Sequence, residues 1–189
     1  MLPLIELIID EGIESDGIEA ISLVHTPAIE ENFVALSKQK VELKTLDEEK
    51  RIVVSLALLP DKEIYRRDKD GREYNIVFSK ETVRQASELY FKNLNNNNTT
   101  LEHEKKTDGV SVIESWIVED VKQDKTALYG LNAVEGAWAV VMKVDNDEVW
   151  ADIKGGKYLG LSIEGRFSER EAELSEEDEL INKIIEILK

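Results

Sequence analysis

The sequence predicts a β-rich α+β domain, and three observations carry that expectation. Apolar runs are short and end at turn residues, as Ile52–Leu59 does at Pro60-Asp61. Alternation of apolar and polar side chains recurs, above all in Gly160-Leu161-Ser162-Ile163-Glu164-Gly165-Arg166-Phe167. Helical spacing is confined to a few segments that start at capping residues. The expectation is at least six strands and two helices, with an N-terminal arm and a C-terminal amphipathic helix.

Residues 1–50 read as the arm and a linker. Leu4–Ile9 reads as a strand interrupted by Asp10-Glu11-Gly12, and Gly17–Val24 as a second strand that Pro27 stops before Ala28–Phe33. Residues 37–50 are rich in Lys and Glu, as linkers and loose helices are. A compact domain is expected over residues 51–168. Ile52–Leu59 is its first buried strand, and Arg72–Phe78 pairs back across a turn within Tyr65–Gly71. Ser79 caps a helix with Val83, Ala86, Tyr90 and Leu94 on one face, which Asn95–Asn98 end. Thr99–His103 is the next strand and Lys105–Gly109 a polar turn. Val110–Val118 is then a long strand with Val110, Val112, Glu114 and Trp116 on one face. Lys125–Leu131 and Ala137–Val144 read as strands. Asp147 opens a short helix carrying Val149, Trp150 and Ile153, and Gly155-Gly156 close it. Residues 169–189 form an acidic tail in which Ser175 and Asp178 start a helix carrying Leu180, Ile181, Ile184, Ile185 and Leu188.

Composition removes several classes of function. The chain has 189 residues, which suits one domain with appendages, and a formal net charge of −16, which argues against nucleic acid as a partner. With no cysteine, disulfides, thiol catalysis and thiolate metal sites are excluded. The apolar runs are far too short to span a bilayer. The start Met1-Leu2-Pro3-Leu4-Ile5-Glu6 lacks a basic region before an apolar core, so the expectation is a soluble intracellular protein without a secretory signal. Two isolated histidines offer no metal-ligand spacing, and no phosphate-cradling or dinucleotide-binding glycine motif occurs. Neither a metal nor another cofactor is expected.

The chemistry that remains is nucleophilic. Ser162, Glu164 and Arg166 share one face of their strand, while Leu161, Ile163 and Phe167 anchor the other. A serine attacks at neutral pH only when an adjacent base takes its proton. Of the two histidines, His25 lies before Pro27 in the arm and reads as structural or exposed, whereas His103 lies in Thr99-Thr100-Leu101-Glu102-His103-Glu104 and is the candidate base. A third group would orient the imidazole. Glu114 is the favoured candidate, because it interrupts an apolar face just after the His103 segment and a hairpin between 99–104 and 110–118 would bring it close. Glu164 is its rival on the serine's own strand. Arg166 could steady a developing oxyanion or simply pair with Glu164.

Several segments in this order resemble phage serine proteases of the prohead maturation group. They are Leu58–Arg66, Tyr74–Lys80, Val112–Val118, Trp138–Val144 and Gly160–Phe167, with Ala20–Val24 and Pro27–Glu30 in the arm. The resemblance covers roughly residues 51–168. It implies an assemblin-like fold, as in herpesvirus capsid maturation proteases, which is a β-barrel surrounded by helices. It also implies a serine endopeptidase that digests scaffold and trims major capsid proteins within the assembling head, in the host cytoplasm. Dimers of the herpesvirus relatives imply a homodimer here. The matching motifs give Ser162 the role of nucleophile and His103 that of base. The herpesvirus enzymes add a second histidine after the serine, and none follows Ser162 here, which leaves Glu114, Glu164, a tail acid such as Glu169, or a dyad without a carboxylate. Some phage relatives cleave after a glutamate preceded by a hydrophobic residue, so Ile18-Glu19, Ile29-Glu30 and Ile163-Glu164 are candidate self-cleavage sites. The competing reading is a catalytically inactive, protease-like assembly partner that docks through the acidic tail and apolar helix. A small-molecule hydrolase is disfavoured because Gly160-Leu161-Ser162-Ile163-Glu164 lacks the second glycine of a nucleophile elbow.

Overall fold

The computed structural model describes residues 2–10, 12–25 and 43–171. In chain order its elements are β1 (Leu4–Ile8), β2 (Gly17–Val24), β3 (Lys44–Asp47), β4 (Ile52–Leu58), β5 (Ile64–Arg67), β6 (Glu73–Phe78), α1 (Lys80–Lys92), β7 (Thr99–Leu101), β8 (Lys105–Thr107), β9 (Val110–Ile117), α2 (Lys125–Leu128), β10 (Trp138–Val144), α3 (Asp147–Lys154), β11 (Gly160–Arg166) and β12 (Ser168–Glu171). Ala28–Phe33 and the helix expected at 180–188 lie outside the described residues.

Among the described residues the strands form three four-stranded sheets, ordered β12-β1-β6-β5, β3-β4-β10-β9 and β11-β2-β7-β8. The architecture is therefore β-rich α+β, but the sheets stay open where the family resemblance implies a closed barrel. Closure needs long strands to carry a ladder around the circumference. Here β8 and β12, at two of the sheet edges, have only three and four residues.

The larger core lies where the sheets face one another. It joins Ile21, Leu23 and Leu161 of the third sheet to Val53, Val110 and Met142 of the second and to Ile76 and Phe78 of the first. Helix α1 covers it with Val83, Ala86 and Tyr90, and α3 with Val149, Trp150 and Ile153. A smaller core on the other side of β4 and β10 holds Val54, Leu56, Ala139 and Val141. Both helices start as their sequences predict. Ser79 Oγ accepts the Thr82 N–H at 3.3 Å, and Asn146 Oδ1 accepts the Val149 N–H at 3.0 Å.

Several local readings change. Helix α1 stops at Lys92, and Leu94 sits beyond it in a left-handed turn (φ 57°), 79% exposed instead of on the apolar face. Residues 44–47, read as linker, pair antiparallel with β4. Residues 125–128 are helical, because Asp124 caps them by accepting the Thr126 N–H at 2.8 Å while also accepting the Trp116 indole N–H at 2.8 Å. Lys105–Thr107 is a strand, so the hairpin that contains His103 is β7–β8 rather than a pairing of 99–104 with 110–118. Strand β9 instead pairs with β10, with an irregularity that leaves Ile113 unpaired between Val112 and Glu114. That extra residue reverses the alternation. Val110, Val112 and Ile117 face the larger core, whereas Trp116 turns to the smaller one.

Leu4–Ile8 and Gly17–Val24 are built into the sheets. Strand β1 runs parallel to β6 and antiparallel to β12, and β2 lies between β11 and β7. Asp16, 8% exposed, joins these two strands to the far end of the chain. Its Oδ2 accepts the Asp10 N–H at 3.0 Å, the Ser168 N–H at 3.1 Å and the Ser168 hydroxyl at 2.8 Å.

Candidate active site

Strand β2 organises the site. Ile21 and Leu23 project into the larger core, so Ser22 between them projects to the opposite face. Ser22 is directly opposite Ser162 on one side and Thr100 on the other, which places three hydroxyl side chains in a row across β11, β2 and β7. Directly opposed side chains in a sheet stand about 5 Å apart. Leu161 and Ile163 anchor β11 in the core, leaving Ser162 and Glu164 on the face with the hydroxyls, as alternation predicts.

The register of β11 depends on Gly165. A Cβ there would collide with the Gly17 carbonyl oxygen and lie 2.9 Å from Ile18 Cα. The close approach coincides with a bulge in which Glu164 and Gly165 oppose Ala20 and Ile18, leaving Glu19 as the extra residue.

His103 reaches the same face from the β7–β8 turn. Glu102 (φ 52°) and His103 (φ 60°) are both left-handed, a conformation that costs a non-glycine residue roughly 1–2 kcal/mol. Contacts with β2 hold the turn in place. The Glu102 N–H donates to the Leu23 carbonyl at 3.0 Å, the His103 N–H donates to Ser22 Oγ at 3.0 Å, and Glu102 Oε1 accepts the His25 N–H at 2.7 Å. Strained backbone held by its surroundings is a recurrent property of active sites.

The imidazole is held by Glu164. His103 Nδ1 lies 3.2 Å from Glu164 Oε1, and the same oxygen accepts the Thr100 hydroxyl. A carboxylate only accepts, so Nδ1 is the donor of this contact, and in the neutral imidazole that tautomer leaves Nε2 as the acceptor. The His103 side chain is 43% exposed and that of Glu164 30%. The structure thus brings Ser162, His103 and Glu164 to one face. Among the described residues Ser162 and His103 are not themselves hydrogen-bonded. In the absence of substrate such bonds are often long or poorly aligned.

The other candidates lie elsewhere. The Glu114 carboxylate accepts from Lys125, whose ammonium lies 4.1 Å from the centre of the Trp116 ring, in a different sheet from His103. Its side chain follows Trp116 because of the irregularity at Ile113. Glu169 opposes Leu7 on β12, and Arg166 is exposed at the end of β11. His25 has a structural role, its Nδ1 lying 2.9 Å from the Lys157 carbonyl. Of the self-cleavage candidates, Glu19 and Glu164 lie within β2 and β11, and Glu30 is outside the described residues. Two groups at the site went unread in the sequence, Ser22 and Thr100. The polar residue inside the apolar run Ile21-Ser22-Leu23-Val24 was the signal for the first.

No group of three or more potential metal-ligating side chains occurs among the described residues, and no helix among them is long and apolar enough to cross a membrane. A surface cleft of about 370 Å³ is lined by Leu59, Pro60, Asp61, Lys62, Lys80, Val134 and Glu135, and shares no residue with the serine face.

A family model described as "Putative phage serine protease XkdF" matches residues 40–171 of this chain, a span that contains Ser162, His103 and Glu164. No curated protein and no solved structure matches it.

Proposed function

Starting from the fact that the chain belongs to the phage serine protease family described as XkdF, we propose that it is a serine endopeptidase whose nucleophile is Ser162, whose general base is His103 and whose orienting carboxylate is Glu164. The observation that carries this reading is the His103 Nδ1 to Glu164 Oε1 contact at 3.2 Å on the strand and face of Ser162. It supports Glu164 over Glu114 as the third member.

The chemistry is acyl transfer. His103 Nε2 takes the Ser162 proton as Oγ attacks a peptide carbonyl, and Glu164, accepting from Nδ1–H, stabilises the imidazolium that forms. The proton then passes to the leaving amine, the acyl–Ser162 ester remains, and water releases it by the same route in reverse. Main-chain N–H groups following the serine hold the oxyanion. The site lies on a sheet face and outside the surface cleft beside Pro60 and Lys80, a form that suits an extended polypeptide better than a small molecule.

The substrates are scaffold and major capsid proteins, and the place of action is the assembling prohead in the host cytoplasm, with the chain acting as a dimer. An assemblin-like arrangement of strands belongs to the same reading. The test is incubation of the cognate scaffold and capsid proteins with wild-type chain and with Ser162→Ala. Cleavage lost only in the variant is the expected result. Equal cleavage moves the nucleophile elsewhere, and no cleavage by either folded protein favours an assembly partner without activity.

A further inference from the structure

We propose that Ser22 is a positioning residue of the reaction, acting through the main chain of His103. The proposal rests on the reading of His103 as the base. It goes beyond that reading because Ser22 lies outside the residues 40–171 that the family model matches.

Ser22 is fully buried on the face opposite the core, where a hydroxyl has no packing reason to be. Its Oγ accepts the His103 N–H at 3.0 Å, and its main chain lies directly opposite Ser162. One residue therefore touches the base's backbone and neighbours the nucleophile, and so sets the offset between them. The need is specific to this turn. A left-handed, non-glycine residue relaxes towards φ below zero unless held, and relaxation would swing the imidazole away from Glu164. The two other contacts of the turn, the Glu102 N–H to Leu23 and Glu102 Oε1 to the His25 N–H, fasten Glu102, so among the described residues it is the bond to Ser22 that fastens the His103 main chain to β2. A displacement of about 1 Å at a catalytic group costs on the order of 100-fold in rate.

The experiment uses the full chain, a fluorophosphonate probe that labels activated serines, and the ¹H–¹⁵N signal of the His103 Nδ1–H. In wild type, labelling depends on Ser162 and His103, and the imidazole signal shows an Nδ1–H held by Glu164. Ser22→Ala is expected to fold, to label roughly 10- to 100-fold more slowly, and to lose the ordered Nδ1–H signal. Ser22→Thr, which keeps the accepting oxygen, is expected to restore both. Labelling and imidazole signal both unchanged in Ser22→Ala would overturn the proposal. If Ser22→Ala does not fold, Ser22→Cys decides: it keeps the volume but accepts weakly, so slow labelling supports the proposal and a wild-type rate overturns it. If wild type is not labelled, or Ser162→Ala is labelled equally, the protease reading has failed. The imidazole signal then decides Ser22 alone, its loss in Ser22→Ala with return in Ser22→Thr supporting positioning and its persistence opposing it.

Discussion

Two glutamates competed for one role, and a single unpaired residue separates their surroundings. Ile113 reverses the alternation of β9 and turns Glu114 towards Lys125, while the alternation of β11 keeps Glu164 beside Ser162. The expected outcome is that Glu164→Gln lowers kcat/KM on a scaffold-derived peptide by on the order of 10³- to 10⁴-fold with KM little changed, because an amide can donate to Nδ1 and select the wrong tautomer. Glu114→Gln should leave the rate near wild type. Reversal of that order would reinstate Glu114. A second prediction concerns the core. Tyr90 is fully buried, packs edge-on against Trp138 at 5.4 Å, and its hydroxyl has no hydrogen-bond partner among the described residues. Burial also pushes its phenol well above the usual range. Tyr90→Phe removes an unsatisfied polar atom and keeps the ring, so urea unfolding should show stability raised by about 1 kcal/mol. A loss would mean the hydroxyl is bonded in solution.

The element that most constrains the site is β11, and Gly165 is its fixed point. Gly165→Ala forces a methyl group into the Gly17 carbonyl and should cost about 2 kcal/mol or more, read as a lower denaturation midpoint together with lost activity. Survival of both would show that the bulge at Glu19 can open. The cap of α2 gives a prediction with a pH sign. Burial raises the Asp124 carboxyl, but hydrogen bonds from Thr126 and Trp116 and the charge of Lys125 outweigh it and hold the group below its ordinary 3.8. A depressed folded value means that the carboxylate stabilises the fold above about pH 3.8 and that this contribution is lost as the pH falls through the folded value. Asp124→Asn should therefore be less stable than wild type at pH 7 by about 1 kcal/mol, with the gap closing below about pH 4. Urea midpoints measured from pH 7 to pH 3 check it, and a constant gap would assign the cost to geometry.

At the scale of the whole molecule, the first two strands serve the sheets as fully as the last two. Deleting residues 1–25 removes the strand between β11 and β7 and the strand between β12 and β6. A chain starting at residue 26 should therefore fail to show a cooperative thermal transition by circular dichroism, whereas a folded, active product would show that β11 and β7 can join without β2. Much of this organisation was legible in the residues. The run Gly17–Val24, the turn before Glu73–Phe78, the cap at Ser79, the helix start at Asp147, and the face carrying Ser162 and Glu164 all follow from local propensity and alternation. What escaped depends on distant partners. Nothing near Val110 announces that Ile113 stands outside the ladder, and no glycine marks the turn at Glu102-His103, because β2 supplies from far away the bonds that hold it. The parallel pairings of β2 with β7 and β1 with β6 are invisible to any local window for the same reason.

The pairing of Ser22 with Ser162 also sets a clock on biosynthesis. Strand β2 leaves the ribosome early and β11 late, so the groups opposed at the site are separated by most of the chain's synthesis. On the reading proposed above, a nascent chain stopped before residue 160 holds His103 but has neither Glu164 to orient it nor Ser162 to activate. Under the proposed mechanism, competence to cut a peptide arrives only when β11 docks against β2, and latency during translation would follow from topology without any inhibitor.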